Sequence, residues 1–418
     1  MPWQVVFHFI PWSFILRLSI NKPSFPSALS ALALALAAGG ASAAGFQLSE
    51  QSVTALGRAY AGAGIVGDDL SAAFYNPAGM TLNSGTSVQA GVVAVNVRPS
   101  FDGTENGRPV HGNGSGWAGI PNAYLVASPT DRLRLGLAIT APYGLKTDYG
   151  SRWAGADHGY KSSIVTIDIN PSLAYRVNDW LSVGAGVSAQ YARAKFSARA
   201  MNVVDTQVDA DGWDYGYNAG VMLTPGANTR IGLSYRSKID HHETGDAHVG
   251  KLGYGVHADV TVPESVELTG LQRLDDRWSV TGSVRWSNWS RLQSIDIHPD
   301  SNGLPISLPQ NWGDSWYFSL GTDYRHDDQW TFRGGLAYET TPIKRAEDRT
   351  PIIPDSDRLW TSLGASWRLD AHSTLDFAYA HLFSVGDRAS RHKVGGSTLD
   401  GEYSLAGDLF GLQYQYRF

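Results

Sequence analysis

The last sixteen residues, YSLAGDLFGLQYQYRF at 403–418, constrain the fold most because their side chains alternate in character. Successive side chains of an extended strand point to opposite faces. One face would be apolar and aromatic and would include the final residue: Phe410, Leu412, Tyr414, Tyr416 and Phe418. The other face would be mostly polar: Leu409, Gly411, Gln413, Gln415 and Arg417. A soluble sheet can alternate in this way, but the closing strand of a transmembrane barrel should, since lipid lies on one side and a lumen on the other.

The first 43 residues have the organisation of a secretory signal peptide. Lys22 precedes an apolar run, ALSALALALAA at 28–38, and the A-x-A cleavage site Ala41-Ser42-Ala43 follows it. We therefore predict a signal peptide over residues 1–43. A second apolar run at 5–18 is either an over-extended start or part of a long n-region. A membrane anchor is the alternative, but both runs are shorter than the ~20 residues that a spanning helix needs.

Alternating segments recur from residue 85 to the end of the chain, and the connections between them alternate in length. Six connections are short and carry turn residues typical of hairpins, as in Asn178-Asp179 and Asp370-Ala371-His372. Seven long connections lie near residues 101–116, 144–160, 198–211, 245–254, 298–311, 341–357 and 386–402. Short turns at one rim and long loops at the other are typical of transmembrane barrels. The sequence therefore predicts an all-β fold, a 14-stranded antiparallel transmembrane β-barrel over residues 85–418.

Residues 44–84 do not alternate. They are rich in Ala and Gly, contain short helical patches and precede the first predicted strand. We predict that this segment is a small hatch that plugs the lumen. A periplasmic extension is the alternative.

Composition argues against several classes of function. Charged residues make up 17% of the chain, below the ~25% usual for soluble domains. The chain has no Cys, and so no thiolate metal site, and its net charge of −6 comes without a basic stripe for nucleic acid. A G-x-G-x-x-G match at 62–67 does not follow a strand, and His241-His242-Glu243 fits no H-E-x-x-H pattern. We expect no cofactor, no metal ion, no nucleic-acid partner and no enzymatic activity.

Four regions carry motifs that alternation alone does not explain. They are Ala44-Gly45-Phe46-Gln47-Leu48 with Gly57-Arg58-Ala59-Tyr60 and Asn76-Pro77-Ala78; Tyr191-Ala192-Arg193-Ala194-Lys195; Pro263-Glu264 with Trp286-Ser287-Asn288-Trp289-Ser290; and Phe332 to Tyr338 followed by Ile353 to Arg358. Together these motifs resemble the FadL-type family of outer-membrane transporters for long-chain fatty acids and other hydrophobic compounds. The resemblance covers nearly the whole mature chain.

The resemblance implies a route for the substrate. A hydrophobic molecule would be captured at the extracellular loops, pass to a tighter inner site into which Phe46 projects, and leave sideways through a gap in the barrel wall. The gap would lie at a kink in the third barrel strand, where Pro142-Tyr143-Gly144 is the candidate region. By resemblance, Asn76-Pro77-Ala78 belongs to the hatch element beside that kink and gates it.

Three cations at the end of the fifth predicted strand, Arg193, Lys195 and Arg199, are candidates to bind a substrate carboxylate. The alternative is that they are rim charges that face lipid head groups. The family's inner-site arginine aligns with Ala198, and its second cation has no counterpart in 308–312. This departure leaves open a neutral hydrocarbon as the substrate.

The sequence as a whole favours passive transport of hydrophobic compounds, most simply long-chain fatty acids, across the outer membrane of a Gram-negative bacterium. An uptake channel for aromatic or alkane hydrocarbons, an outer-membrane enzyme that acts on lipids, and an adhesin anchored by its barrel are the alternatives. Expected partners are outer-membrane lipid, lipopolysaccharide and the barrel assembly machinery. That machinery would read Phe418 as an assembly signal.

Overall fold

The computed structural model describes residues 44–114, 116–301 and 305–418, and the predicted signal peptide lies outside the described residues. Within them, 21 strand segments belong to one sheet. The segments are β1 (Ser87–Glu105), β2 (Arg108–Asn113), β3 (Gly116–Ala127), β4 (Leu133–Thr140), β5 (Gly144–Asp148), β6 (Lys161–Arg176), β7 (Leu181–Ala200), β8 (Val204–Gly226), β9 (Thr229–Arg236), β10 (Ile239–Val249), β11 (Leu252–Val262), β12 (Ser265–Arg273), β13 (Trp278–Ser287), β14 (Ser294–Pro299), β15 (Ile306–Pro309), β16 (Ser315–Arg325), β17 (Trp330–Glu339), β18 (Asp357–Arg368), β19 (Ser373–Val385), β20 (Ala389–Val394) and β21 (Ser397–Arg417).

The sheet closes on itself because β1 pairs with the last segment, β21, in an antiparallel ladder from Ser87↔Arg417 to Glu105↔Leu399. Five barrel strands consist of two consecutive segments each: β4 with β5, β9 with β10, β11 with β12, β13 with β14, and β15 with β16. The short segments β2 and β20 lengthen hairpins at the loop end. The described residues thus form a closed antiparallel barrel of 14 strands, as the alternation and the turn count predicted.

The two faces of each strand differ as the sequence predicted. On β21, Phe410 and Leu412 are about half exposed on the outer surface, at 49% and 50%, whereas Gln413 is 1% exposed in the lumen. Phe418 lies just beyond β21 on the outer row, where its N–H donates to the Thr86 carbonyl. The outer surface is apolar because lipid replaces water there.

Two of the predicted long loops are instead paired hairpins. β7 continues to Ala200 and β8 begins at Val204, so the connection at 198–211 is a three-residue turn between long strands. Likewise β10 ends at Val249 and β11 begins at Leu252. Beyond the membrane the outer face of a strand is wet and charged, so alternation of apolar and polar residues no longer reveals the strand.

Residues 44–86 fill the lumen as a compact hatch. It contains two four-residue helices, α1 (Val53–Leu56) and α2 (Ala72–Tyr75), and a 3₁₀ helix at Pro77–Leu82. The Ser52 hydroxyl accepts a hydrogen bond from the Ala55 N–H and caps α1. Other 3₁₀ helices in the described residues are Ala154–His158, Trp289–Arg291 and Ala346–Asp348. No helix of the described residues is long and apolar enough to span a membrane.

Glycines on the inner wall let the hatch approach the barrel closely. A Cβ atom added to Gly335 on β17 would lie 2.1 Å from the carbonyl carbon of Arg58. On another side of the lumen, a Cβ atom on Gly184 of β7 would lie 2.6 Å from the Ala78 nitrogen. Real Cβ atoms do not come this close, so side chains at these positions would displace the hatch.

Candidate functional site

The barrel wall is interrupted between its second and third strands. The ladder between β3 and β4 ends at Ala123↔Ile139, and residues 141–143 separate β4 from β5. Beyond this break β5 pairs with β6, from Gly144↔Val165 to Asp148↔Lys161. Among the described residues no ladder joins β5 to β3. Because Pro142 has no N–H, a regular ladder cannot continue through it.

The N-terminal segment of the hatch occupies the break from the lumen side. The Leu48 N–H donates to the Pro142 carbonyl at 2.8 Å, and the Gly144 N–H donates to the Phe46 carbonyl at 2.8 Å. Gln47 and Tyr143 face each other between these two bonds as an isolated antiparallel bridge. The hatch therefore supplies the backbone partners that the interrupted strand lacks on this side.

Two side chains complete the hydrogen bonding of the kink. The Gln51 amide accepts from the Ala141 N–H at 3.1 Å and donates to the Ala141 carbonyl at 2.7 Å. From β6, the Thr166 hydroxyl accepts from the Tyr143 N–H at 2.9 Å and donates to the Tyr143 carbonyl at 2.7 Å. Because the buried peptide groups of the kink have these hydrogen-bond partners, the kink is a stable part of the wall.

Phe46 lies at the base of an aromatic cluster just inside the kink. Its ring centroid is 6.0 Å from that of Tyr143, 4.8 Å from Trp289 and 5.8 Å from Trp312. A cavity of about 30 Å³ adjoins the cluster and is lined mainly by apolar residues. Its lining is Phe46, Tyr143, Ile164, Thr166, Ala192, Ala194, Phe196, His241, Glu243, Val260, Val262 and Ile295, and we call it the Phe46 chamber. A volume near that of one or two water molecules means that side chains must move before a long molecule enters.

A second, more polar cavity of about 40 Å³ shares Tyr143 with the Phe46 chamber. It is lined in part by Arg236 and Arg285, which point inward from β9 and β13. Arg236 lies over the Phe74 ring at 4.1 Å and donates to the Phe74 carbonyl at 2.9 Å. Glu267 lines the same cavity, so an incoming anion would share the arginines with this carboxylate. A guanidinium has five N–H donors, which leaves donors for an anion beside the present partners. We call this the arginine cavity. It places two cationic side chains next to the Phe46 chamber.

Arg193, Lys195 and Arg199 face the other way. On β7, Ala192, Ala194 and Phe196 point into the chamber, and alternation turns Arg193 and Lys195 to the outer surface. Arg193 binds Asp209 at 2.9 Å, Lys195 binds the same carboxylate at 3.1 Å, and Arg199 lies 3.6 Å from Asp205. The structure therefore does not bring these three cations into the Phe46 chamber, and their binding of a substrate carboxylate stays a prediction. Their position fits the alternative of rim charges.

Asn76-Pro77-Ala78 lies in the lumen but not against the kink. The Asn76 side chain donates to the Val221 carbonyl of β8 at 3.1 Å and accepts from the Ala78 N–H at 3.1 Å. Pro77 and Ala78 lie against Gly184 of β7. The turn lies apart from Pro142-Tyr143-Gly144, where Phe46–Leu48 and Gln51 make the hatch contacts, and its gating role stays a prediction. Glycine admits this contact, because a Cβ atom added to Gly220 on β8 would lie 2.1 Å from the Asn76 side-chain oxygen.

The opposite side of the hatch is held by ion pairs. Arg58 is fully buried and lies 2.6 Å from Asp68 and 2.9 Å from Asp323 on β16. Arg333 on β17 lies 3.1 Å from the same Asp68 carboxylate. We call these four residues the Arg58 cluster. Two positive and two negative side chains pair at the junction of hatch and wall, so the cluster is balanced in charge.

Sequence reasoning missed Gln51, Arg236 and Arg285 as members of the site. One signal was available for Arg285, because it continues the inward row Thr281 and Ser283 on a strand whose other row is Val284 and Trp286. The role of Gln51 had no signal, since its partner Ala141 is distant in sequence and the contact exists only in the folded barrel.

A plugged transmembrane barrel with a break in its wall, and with an aromatic chamber beside that break, defines a class of outer-membrane transport proteins. A family model described as outer membrane protein transport protein (OMPP1/FadL/TodX) matches residues 34–418. The chain belongs to this family, whose members transport hydrophobic compounds across the outer membrane of Gram-negative bacteria.

Similar proteins cover almost the whole chain. Outer membrane protein P1 of Haemophilus influenzae is 31% identical over 462 residues, which cover 94% of this chain and 99% of that protein. The long-chain fatty acid transport protein of Escherichia coli K12 is 29% identical over 454 residues, 95% of this chain and 100% of that protein. The crystal structure of a Pseudomonas aeruginosa FadL homologue matches with a TM-score of 0.84 at 27% identity, covering 90% of this chain and 100% of that one.

Proposed function

We propose that this chain takes up long-chain fatty acids passively and releases them sideways into the membrane through the break between β3 and β5. The observation that carries the proposal is the interrupted wall at Pro142, whose lumen side is covered by a removable backbone pairing with Phe46–Leu48. A tail shielded from water gains about 0.8 kcal/mol per CH₂ group. A lateral exit keeps the tail in apolar surroundings from the chamber to the lipid.

Capture at the cell surface has a candidate in the tips of two neighbouring hairpins. The turn between β7 and β8 exposes Met201 and Val203, at 89% and 71%, and the turn between β10 and β11 exposes Leu252 at 73%. The two hairpins are paired, because Val249 of β10 faces Thr206 of β8. Exposed apolar side chains grouped at loop tips are typical of sites that bind apolar partners. This patch would collect the tail before it enters the lumen.

The head group would lie next to the arginine cavity. A tail in the Phe46 chamber and a carboxylate near Arg236 are adjacent, because Tyr143 borders both cavities. A hydrogen bond to a charged group contributes roughly 1.5–3 kcal/mol.

Release of the substrate through the break can be tested with an engineered disulfide that locks the hatch to the kink. Gln47 and Tyr143 face each other as a non-hydrogen-bonded antiparallel pair, for which Cα atoms lie about 4.5 Å apart, within the range a disulfide spans. The native chain has no Cys, so Gln47→Cys with Tyr143→Cys creates a single possible bridge. We expect oxidised cells to lose most uptake of radiolabelled oleate, and reduction by dithiothreitol to restore it.

The reduced double variant is the matched control, because it carries both substitutions without the bridge. Each single variant should respond to neither oxidant nor reductant. Equal oleate uptake by the oxidised and the reduced double variant, with bridge formation verified by mass spectrometry, would refute release at this break.

The substrate head group separates fatty acids from the second candidate, a neutral hydrocarbon or other uncharged hydrophobic compound. That candidate is favoured by the lining of the Phe46 chamber, which contains Glu243 and no Lys or Arg among the described residues. We expect Arg236→Gln to weaken oleate binding about tenfold or more and oleyl alcohol binding much less, as measured by fluorescence displacement. Arg193→Gln with Lys195→Gln should leave both unchanged. Equal losses for acid and alcohol would favour the uncharged substrate.

Assembly is a separate proposal. Phe418 ends the outward aromatic row, packs its ring 5.0 Å from Tyr416 and is 67% exposed, so the barrel assembly machinery can contact it. Deleting Phe418 should lower the folded amount in the outer membrane, measured by heat-modifiable migration on gels. Phe383→Ala, which removes an outward aromatic ring near the opposite, loop end of β19, is the control. An unchanged folded level without Phe418 would contradict a recognition role.

A further inference from the structure

Several extracellular connections meet at a cluster of chemically active side chains that the transport route does not use. Glu105 ends β1, and Asp157 with His158 ends the 3₁₀ helix Ala154–His158. His392 lies on β20, and Ser397 begins β21. Residues 105, 157–158 and 392–397 lie far apart along the chain, so only the closed barrel brings these three parts together.

Three of these side chains have the geometry of a metal site. One carboxylate oxygen each from Glu105 and Asp157 and one ring nitrogen of His158 all lie within 4.8 Å of one another. The side chains of His158 and Asp157 are 0% and 7% exposed. A buried imidazole between two carboxylates is an arrangement that Zn²⁺ binds, since zinc takes nitrogen and oxygen ligands at about 2.0–2.2 Å.

The cluster holds more acceptors than donors. Asp157 Oδ1 is buried and makes no hydrogen bond, and it lies 3.5 Å from His158 Nε2. Ser397 Oγ lies 3.0 Å from Glu105 Oε1 and 3.2 Å from His158 Nε2, and when Nε2 carries no proton the single hydroxyl proton can serve only one of these two acceptors. Asn202 adds a long contact of 3.4 Å to Glu105 Oε1. A buried carboxylate oxygen without a donor costs free energy, and a cation would remove that cost.

The other nitrogen of His158 is already held in place. His158 Nδ1 lies 2.9 Å from His392 Nδ1, so one of the two rings donates to the other. If His158 donates, its Nε2 turns a lone pair toward Asp157 and Glu105. Metal-binding histidines are oriented in this way by a partner on their second ring nitrogen. Here His392 would be that positioning residue.

We propose that Glu105, Asp157 and His158 bind one divalent transition-metal ion at the extracellular face, with Zn²⁺ as the best match to one imidazole and two carboxylates. Ca²⁺ fits less well because it takes six to eight oxygen ligands and no imidazole. The ion would tie the end of β1 to the connection between β5 and β6, and through His392 to β20. It would hold one side of the barrel entrance in a fixed arrangement.

The test is zinc titration of the full-length mature protein, purified in detergent without a polyhistidine tag and stripped of metal. Isothermal calorimetry should show one site per chain, and Asp157→Asn and His158→Gln should each lower the affinity at least tenfold. The control is His257→Gln, because His257 forms another extracellular His–Asp contact, 3.2 Å from Asp300, outside the cluster. It should keep the affinity of the unchanged protein.

Three outcomes would overturn the proposal. They are the absence of zinc binding at millimolar concentration, binding that survives both cluster variants, and binding lost in His257→Gln. Folding of each variant is checked by heat-modifiable migration. If His158→Gln fails to fold, Asp157→Asn alone decides, because it removes one charge and keeps the shape of the side chain. The same titration with Ca²⁺ should give no heat that depends on His158.

Discussion

The hatch contacts the barrel wall in two different ways on its two sides. At the Arg58 cluster it is held by buried ion pairs and by backbone seated on Gly335 and Gly321. At the kink it is held by the Gln51 amide and by the isolated Gln47–Tyr143 bridge, which consists of two backbone hydrogen bonds. Charges buried in pairs cannot separate without a large cost, whereas backbone hydrogen bonds exchange with other partners at little net cost. We therefore expect the hatch to have a fixed body and a releasable N-terminal segment.

A substitution in the Arg58 cluster should have the largest effect on the stability of the protein. Arg58→Met removes one partner and leaves the buried Asp323 and the half-buried Asp68 with Arg333 alone, so we expect a loss of about 3–5 kcal/mol in the free energy of unfolding. Urea titration followed by gel mobility measures it. Arg325→Met is the control, because its pair with Asp328 is exposed, at 56% and 88%, and such pairs contribute ~1 kcal/mol or less. Similar losses in the two variants would mean that the hatch is not clamped at Arg58.

The releasable contact should respond to pH. Burial, and next the charge of Glu339, raise the pKa of Glu50 from 4.5 to about 7, although Arg358 and Arg285 act in the opposite direction. Glu50 thus holds its proton more tightly in the folded protein than in the unfolded chain. Its contribution is full below pH 4.5 and is lost as pH rises through 7, a change of roughly 1–3 kcal/mol.

The comparison variant for this effect is Glu50→Gln, which mimics the protonated carboxyl at every pH. Urea midpoints between pH 4.5 and 7.5 should fall for the native protein and stay flatter for the variant. If the urea midpoints of the two proteins fall in parallel, a group other than Glu50 titrates, and the pH dependence does not support a weakly held N-terminal segment.

The smallest expected effect concerns Asn76-Pro77-Ala78, which the structure groups with the fixed body. Asn76→Ala with Pro77→Ala removes a cap and a wall hydrogen bond, so we expect a loss of about 1–2 kcal/mol in stability. Oleate uptake per folded barrel should stay within twofold of the native value. A large loss of uptake with intact surface binding of a fluorescent fatty acid would instead assign the gate to this turn.

Much of the barrel could be predicted from local sequence. Period-two alternation and turn residues act within single hairpins, so strand count, closure at β21 and the side that faces lipid followed from the chain itself. The same period holds for Arg193 and Lys195, which continue the outward row of Val187 and Tyr191. They were assigned to a ligand because cations bind carboxylates, without regard to the face of the strand on which they lie. The alternation already placed them on the outer face.

The sequence by itself determined that this protein is a barrel with one apolar surface, because each strand shows its two environments in its own side chains. Only the tertiary structure decided which hatch residues meet the kink, where Arg236 and Arg285 point, and that Glu105 lies beside His158. These contacts join residues that are distant along the chain and meet only when the sheet closes. Their positions depend on register and curvature summed over many strands, which no local pattern records.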